Sequence, residues 1–179
     1  SLYLSFTKFD LLRPAQWIGA DNYVRMFSAD PRFWQALKVT FSYMAMEVPL
    51  KLAFALAVAV ALDKAVRAGA LYRALFYVPS LLGGSVAIAV LWRQIFEGNG
   101  TLNQVLLWLF GYKGPSWIST PDTALYTLVL LAVWQFGSPM IIFLAGLRQI
   151  PQDMYEAASL EGASKLRVFW RITLPMLTP

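Results

Sequence analysis

Apolar residues collect in long segments that are separated by shorter polar stretches. No charged residue occurs in the 19 residues 74–92 or in the 25 residues 123–147. A helix rises 1.5 Å per residue, so the second segment would be about 37 Å long, enough to cross a hydrocarbon core of roughly 30 Å. The pattern predicts membrane-spanning helices over about 74–95 and 123–147.

A third apolar segment, about 34–62, carries two charged residues, Glu47 and Lys51. Residues four apart lie on the same side of a helix and can pair. Pairing matters because an unpaired charge at the bilayer centre costs about 2.5–3.5 kcal/mol on insertion scales. We predict a third span here, with the two charges paired within the helix. Intramembrane charges are also candidates for a solute pathway, and that alternative stays open.

Each predicted span contains one proline: Pro49, Pro79 or Pro139. The second span also carries Gly83-Gly84, shortly after its proline. A proline inside a helix frees a carbonyl and bends the backbone, and membrane helices accept it where a neighbour satisfies that carbonyl. The prolines therefore predict bent helices, in either a moving or a static bundle.

The composition excludes a soluble domain. Hydrophobic residues make up 58% of the chain and charged residues 14%, with a mean hydropathy of +0.54. Soluble domains carry about 25% charged residues, so this chain has too few to cover a soluble surface. The chain has neither cysteine nor histidine, so the usual metal ligands, thiol nucleophile and neutral-pH general base are missing. We predict an all-α membrane bundle that is not an enzyme and has no catalytic or metal site.

The net charge of +5 is interpreted as basic flanks that orient the spans. With three spans, residues 63–73 and 148–179 share one side and carry seven lysines and arginines, as many as the other side. Their segments are shorter, so the density of positive charge favours this side as cytoplasmic. Residues 1–33 are predicted to form an extracytoplasmic or interfacial segment.

The segment 148–179 predicts two short helices joined by a tight turn. Pro151 suits the first turn of the first helix, and Gly162 suits a left-handed turn after its end. Ser164 is placed to cap a second helix, which Pro175 is expected to stop. Such a unit is either an amphipathic connector in the headgroup layer or a docking element for a partner.

A spaced motif runs through this segment. Glu156-Ala157-Ala158 is followed after three residues by Gly162, and after nine more by Ile172-Thr173-Leu174-Pro175. This spacing resembles the EAA loop of bacterial ABC importer permeases. Shorter matches to the sugar-uptake branch of that family are Trp134-Gln135-Phe136-Gly137, Ala145-Gly146-Leu147, Ile150-Pro151 and Gly162-Ala163.

The resemblance implies a type I importer permease in the bacterial inner membrane. Such a subunit forms the translocation pathway for a sugar or sugar-like solute together with a second permease. Its other partners are a cytoplasmic ATPase dimer and an extracytoplasmic solute-binding protein. The chain has no Gly-Lys dipeptide and hence no Walker A loop, so ATP would be bound by the partner subunits.

The resemblance also assigns residue roles. Glu156 would make a charged contact with the ATPase, Ala157 and Ala158 would form a close-packed face, and Gly162 would form the turn. The second helix would be anchored on the bundle by Ile172, Leu174 and Pro175. Candidate pathway residues are Glu47, Lys51, Trp134, Gln135 and Ser138, although charges paired within a helix and aromatic residues in a span more often have a structural role.

The chain departs from the family in length. Three spans are predicted where six are expected, so we interpret the sequence as a fragment. Residues 1–6 would then end a missing first span, and two more spans would follow Pro179. The alternatives are a permease for a non-sugar solute, and a secondary transporter or membrane anchor without ATPase coupling.

Overall fold

The computed structural model describes residues 2–10, 13–63 and 69–177. The chain forms two compact units, the first ending at Met44 and the second beginning at Ala45. Lys64 and Arg67, which enter the orientation argument, lie outside the described residues, as do the last two residues of the predicted C-terminal loop. Most described residues are helical, which confirms the all-α class apart from one small hairpin.

The hairpin belongs to the first unit and was not predicted from the sequence. This unit contains, in chain order, helix α1 (Leu2–Ser5), strands β1 (Thr7–Asp10) and β2 (Arg13–Trp17), and helix α2 (Asp21–Ala29). The strands are antiparallel, with Thr7 opposite Trp17. Asn22 holds α2 against the hairpin, since its Nδ2 donates to the carbonyls of Ser5 (2.9 Å) and Thr7 (3.1 Å).

Helix α3 (Pro31–Asp63) occupies the position of the predicted span 34–62. Its 33 residues continue through Pro49 without a break. Among the described residues, it is the one unbroken helix that is long and apolar enough to cross a membrane.

The predicted span over about 74–95 is interrupted, as its proline and glycines indicated. It consists of helix α4 (Gly69–Leu82) and helix α5 (Val86–Phe96). The axis turns by 92° between residues 71–82 and 86–110. The break falls at Gly83-Gly84, where glycine disfavours helix, and Ser85 starts the new helix by accepting a hydrogen bond from the Ile88 N–H at 3.3 Å.

Helix α6 (Thr101–Phe110) follows α5 after a four-residue turn. It ends at Gly111, whose φ of 64° is the left-handed conformation that glycine adopts readily.

Helices α7 (Pro121–Trp134) and α8 (Gly137–Leu147) occupy the predicted span 123–147, with a bend of 45° between them. The break lies where Pro139 would clash with the carbonyl four residues earlier, that of Gln135. Ser80 Oγ donates to this freed carbonyl at 3.0 Å. The predicted bend is therefore present, and a neighbouring helix satisfies the carbonyl as expected.

The core of the second unit lies between α3 and α8. Ala55 and Ala59, four residues apart, are fully buried in one apolar cluster with Met140, Leu144 and Leu147 of α8. Met140 is fully buried against them, and Phe54 meets Phe136 edge to face at 4.7 Å. Side chains of α3 and α8 thus share one buried cluster.

The chain continues with helix α9 (Gln152–Leu160), helix α10 (Lys165–Val168), a π-helical turn (Phe169–Thr173) and helix α11 (Leu174–Leu177). The prediction that Pro175 stops the second helix is wrong. The Leu174 N–H bonds to the carbonyl of Phe169, five residues back, so the helix is locally wider. A π turn of this kind relieves the clash that proline makes in a regular helix.

Candidate functional site

The C-terminal segment containing the spaced motif is attached to the core at its start. Leu147 and Ile150 are buried in the α3–α8 core. Arg148 Nε lies 3.6 Å from Asp63 Oδ1 at the end of α3, which forms an ion pair between partly exposed side chains. The segment therefore leaves the core in a defined direction.

Helix α9 separates the motif residues into a buried side and an exposed side. Ala158 is buried, with 6% of its surface exposed, and Tyr155 is half-buried against the core. Glu156 and Ala157 are exposed, and Leu160 is 90% exposed. The two motif alanines therefore lie in different environments, and Ala157 is the one that a partner could contact.

The turn after α9 has the form of a Schellman motif. Gly162 has φ +68°, the predicted left-handed conformation. The Ala163 N–H donates to the carbonyl of Ala158 at 3.0 Å, and the Gly162 N–H donates to that of Ser159 at 3.1 Å. These two bonds satisfy carbonyls at the helix end. The turn predicted from the position of Gly162 is confirmed.

The cap of the second helix is also confirmed. Ser164 has extended backbone angles, and its Oγ accepts from the Arg167 N–H at 3.4 Å. Two local interactions thus define the connection between the two helices: the left-handed turn at Gly162 and the cap at Ser164. Both were predicted from the sequence.

One contact across the turn had no signal in the sequence. The Tyr155 hydroxyl lies 3.2 Å from Thr173 Oγ1, although the residues are 18 positions apart. Thr173 is buried in the π-helical turn, at a position that the motif leaves unspecified. This hydrogen bond fixes α9 relative to the second helix.

The remaining motif residues lie along the second helix. Ile172 and Leu174 are half-buried, and Pro175 is exposed. Leu177, beyond the motif, packs against the core close to Gly146 of α8. The second helix is thus held by the bundle at its end.

A cleft of about 540 Å³ opens between the end of α3 and this C-terminal unit. It is lined by Asp63, Tyr155, Ser159, Lys165, Phe169 and Thr173, among others. Because its wall includes both helices of the turn, a change in their angle would change the shape of the cleft.

Two of the pathway candidates lie in α3. Lys51 Nζ is 3.3 Å from Glu47 Oε1, with side-chain exposures of 27% and 16%. The predicted pairing within the helix is confirmed, and each charge has a partner.

The other three pathway candidates lie at or near the α7–α8 break. Trp134 packs against Trp92, with ring centroids 6.0 Å apart. The Gln135 amide donates to the Leu131 carbonyl at 3.3 Å, within its own helix. Ser138 is exposed, and its backbone N–H donates to Ser80 Oγ at 3.1 Å. Among these three, Ser138 is the residue whose side chain is exposed.

Comparison with known proteins finds a family that covers most of the chain. The sequence model described as "Binding-protein-dependent transport system inner membrane component" matches residues 21–179. The chain is 52% identical over 179 residues to the probable ABC transporter permease protein YesP of Bacillus subtilis (strain 168), a match covering 100% of this chain and 58% of that protein.

Relatives with named solutes are more distant. Identity is 33% to the trehalose/maltose transport system permease protein MalF of Thermococcus litoralis, over 91% of this chain and 55% of that protein. Identity is 32% to the lactose transport system permease protein LacF of Rhizobium radiobacter, over 90% of this chain and 54% of that protein. The chain spans little more than half the length of these relatives.

The fold matches that of a solved transporter. A chain of the bacterial alginate ABC transporter, solved in complex with alginate pentasaccharide-bound periplasmic protein, superposes with a TM-score of 0.79. The match covers 90% of this chain and 57% of that chain at 23% identity, which shows a shared fold.

Proposed function

Because the chain belongs to the family of binding-protein-dependent transport system inner membrane components, we propose that it is the permease of an ATP-driven importer for a sugar or sugar-like solute. Members of this family are transporter subunits and not enzymes. The observation that carries the proposal is the capped turn at Gly162, which leaves Glu156 and Ala157 exposed at the end of a short helix.

The solute class is inferred from the relatives. Two of those reported above are named for the transport of trehalose and maltose or of lactose, and another for arabinooligosaccharides. They share about one third of their aligned residues with this chain. The same reasoning suggests a solute-binding protein, a second permease and a pair of ATPase subunits as partners, with ATP bound by the ATPases.

In the proposed coupling step, the exposed end of α9 docks on an ATPase subunit. Glu156 offers a charge, Ala157 a close approach and Leu160 an apolar contact. Ala158 takes a different role from the one expected, because it is buried in the permease and supports α9 from behind.

Two contacts would transmit a movement of α9 to the helices of the bundle. The Tyr155–Thr173 hydrogen bond joins α9 to the second helix. The Arg148–Asp63 ion pair joins the start of the segment to α3. A rigid two-helix unit held at both ends would convert ATPase closure into helix tilt, which is a rigid-body mode of switching.

For the solute pathway, Ser138 is the strongest of the proposed residues because its side chain is exposed beside a helix break. Gln135 and Trp134 contact other residues of the chain, so we assign them a supporting role in shaping the break between α7 and α8. Glu47 and Lys51 would act in the pathway only if their ion pair opened.

The absence of cysteine allows a direct test of docking. Ser159→Cys and Leu160→Cys each place one thiol at the exposed end of α9, and Ala158→Cys places a matched thiol on its buried side. With the ATPase subunits present, a short bifunctional cross-linker should join the two exposed positions to an ATPase, and the yield should change with nucleotide. Position 158 should give little product.

Two results would contradict the proposal. One is labelling of the exposed thiols by an impermeant reagent from outside the cell, together with no cross-link. The other is solute uptake that stops with proton uncouplers but continues after ATP depletion.

A further inference from the structure

The two interrupted spans touch each other where they are interrupted. Helix α4 ends at Leu82 and helix α7 ends at Trp134. Gly83, directly after α4, lies so close to the side chain of Gln135, directly after α7, that a Cβ at Gly83 would overlap that side chain. The two breaks therefore lie side by side, and the bend in one span is built against the bend in the other.

The break between α7 and α8 takes two carbonyls away from their regular helical partners. The Gln135 N–H donates to the carbonyl of Ala132, three residues back, at 3.2 Å, and the Leu131 carbonyl accepts from the Gln135 side chain at 3.3 Å. The regular partner of the Gln135 carbonyl would be residue 139, which is Pro139 and has no N–H to donate. Ser80 Oγ of α4 donates to that carbonyl instead, at 3.0 Å. The second carbonyl is thus satisfied by a different span.

The Ser80 hydroxyl also holds the far side of the break. Its Oγ accepts from the Ser138 N–H at 3.1 Å, a group that in a regular helix would donate to the carbonyl of residue 134. A serine hydroxyl has one proton to donate and two lone pairs that accept, so both bonds can form at once. Gln135 precedes and Ser138 follows the two residues that connect the helices. A change in the α7–α8 angle that moved either of them away from Ser80 would therefore cost a hydrogen bond.

Gly137 allows this close approach of α8 to α4. A Cβ at Gly137 would lie 2.9 Å from Ser80 Oγ and 2.5 Å from the carbonyl oxygen of Phe76. The preceding residue, Phe136, is buried, with its ring centroid 4.7 Å from that of Phe54 and 5.8 Å from that of Phe76. The start of α8 is thus held on α4 by packing as well as by the Ser80 hydroxyl.

Among residues 134–139, Ser138 is the one with an exposed side chain. It is also the strongest of the residues proposed above for the solute pathway. Because Ser80 binds the backbone N–H of Ser138, it fixes where that side chain is presented. Ser80 itself is half-buried, and its hydroxyl acts on the break through bonds to backbone groups.

We propose that Ser80 is a positioning residue of the solute pathway. Its hydroxyl joins the two broken spans and holds the α7–α8 bend, and with it Ser138, in one arrangement. This inference rests on the proposed function where it assigns Ser138 to the pathway. The bend itself depends on the chain and on no particular solute.

Two comparisons separate the hydroxyl of Ser80 from the shape of its side chain. Ser80→Ala removes the hydroxyl alone, and Ser80→Val lacks the hydroxyl of Ser80→Thr while keeping its branched shape. Ser42→Ala, at a half-buried serine of α3, is the matched control. Each change is made in the full-length permease, which is purified with any accompanying subunits and reconstituted in phospholipid nanodiscs.

The bend is measured between spin labels on the two helices. Tyr126→Cys on α7 and Ile142→Cys on α8 place the labels at positions that are 63% and 71% exposed. The 179 residues contain no cysteine, and any cysteine elsewhere in the permease is replaced by serine. The labels are about 24 Å apart along a straight helix, a distance that pulsed EPR measures. Ser80→Ala and Ser80→Val should lose the single narrow distance, whereas Ser80→Thr and Ser42→Ala should keep it.

A label at position 138 reports on the pathway residue directly. Ser138→Cys keeps the backbone N–H that Ser80 binds. The mobility of the label should rise when residue 80 is alanine or valine, and it should stay low when residue 80 is serine or threonine.

Unchanged distances and unchanged mobility in both variants without the hydroxyl would overturn the proposal. Equal changes in Ser80→Thr and Ser80→Val would also overturn it, because side-chain shape and not the hydroxyl would then hold the bend. Neither measurement needs solute or ATP, so failure of this inference can be distinguished from failure of the transport function.

Discussion

The hydroxyl of Tyr155 and that of Thr173 are 3.2 Å apart, on opposite sides of the turn at Gly162. Tyr155 directly precedes the exposed Glu156, and Thr173 is buried in the second helix. The contact therefore connects the proposed ATPase-docking surface to the part of the segment that packs on the bundle. Neither residue belongs to the specified positions of the motif.

Removing this hydrogen bond should weaken coupling. A neutral hydrogen bond contributes about 0.5–1.5 kcal/mol, which corresponds to a factor of roughly two to twelve. In Tyr155→Phe and Thr173→Val, solute transported per ATP hydrolysed should fall within that range. Thr173→Ser keeps the hydroxyl and should remain near the original ratio, and Tyr126→Phe, at an exposed tyrosine, should change nothing. An unchanged ratio in Thr173→Val would show that the contact does not transmit movement.

The turn itself should be sensitive to the residue at 162. A Cβ in the left-handed region costs about 1–2 kcal/mol, and asparagine tolerates that region better than alanine. Gly162→Ala should lower uptake, while Gly162→Asn should retain more of it at equal membrane abundance. Uptake assays with immunoblot normalisation compare the two. Equal loss in both variants would point to contact with a partner instead of backbone conformation.

Helices α4 and α8 should tolerate no side chain at their closest approach. A Cβ at Gly137 would lie 2.5 Å from the carbonyl oxygen of Phe76 and 2.8 Å from the Cα of Tyr77, and backbone cannot move aside as a side chain can. Gly137→Ala should therefore lower the thermal stability of the detergent-solubilised protein by a few degrees or more. Gly84→Ala, where a Cβ meets open space, is the matched control and should have a small effect.

The amount of protein in the membrane should depend on Glu47 and Lys51 having opposite charges more than on which of the two positions is negative. Lys51→Ala leaves Glu47 unpaired, at a cost of about 2.5–3.5 kcal/mol if the site lies deep in the membrane. Membrane abundance should fall in this variant and recover in the exchanged pair Glu47→Lys/Lys51→Glu. If the exchanged pair reaches normal abundance but loses uptake, the charges contribute to the pathway as well as to structure.

The loop around α6 should depend on Asn103. Asn103→Ala removes hydrogen bonds to the turns at 98 and 114–115, so the exposed Lys113 should be cut by trypsin several-fold faster than in the original protein. Gln104→Ala, at the neighbouring exposed amide, should leave the cleavage rate close to the original. Similar rates in both variants would show that other contacts hold this loop.

Local features of the chain could be predicted from the sequence because their causes lie within a few residues. The left-handed turn at Gly162, the cap at Ser164 and the pairing of Glu47 with Lys51 depend on backbone preferences or on contacts up to four residues apart. The bend before Pro139 is also local, since proline excludes the carbonyl four residues back. The hydrophobic pattern likewise determined the helical membrane class.

The tertiary structure decided whatever required distant segments to meet. The sequence alone could not show that Ser80 would satisfy the Gln135 carbonyl, that Ala158 would be buried while Ala157 stays exposed, or that Tyr155 would reach Thr173. Each depends on how distant segments pack, as in the close approach of Gly137 of α8 to the backbone of Phe76 and Tyr77 in α4. The passage of the second helix through Pro175 was also not predicted, because it occurs after a π turn in which the Leu174 N–H bonds to the Phe169 carbonyl. Backbone preferences over a few residues determined the helices and turns, and packing between distant segments determined how they are arranged.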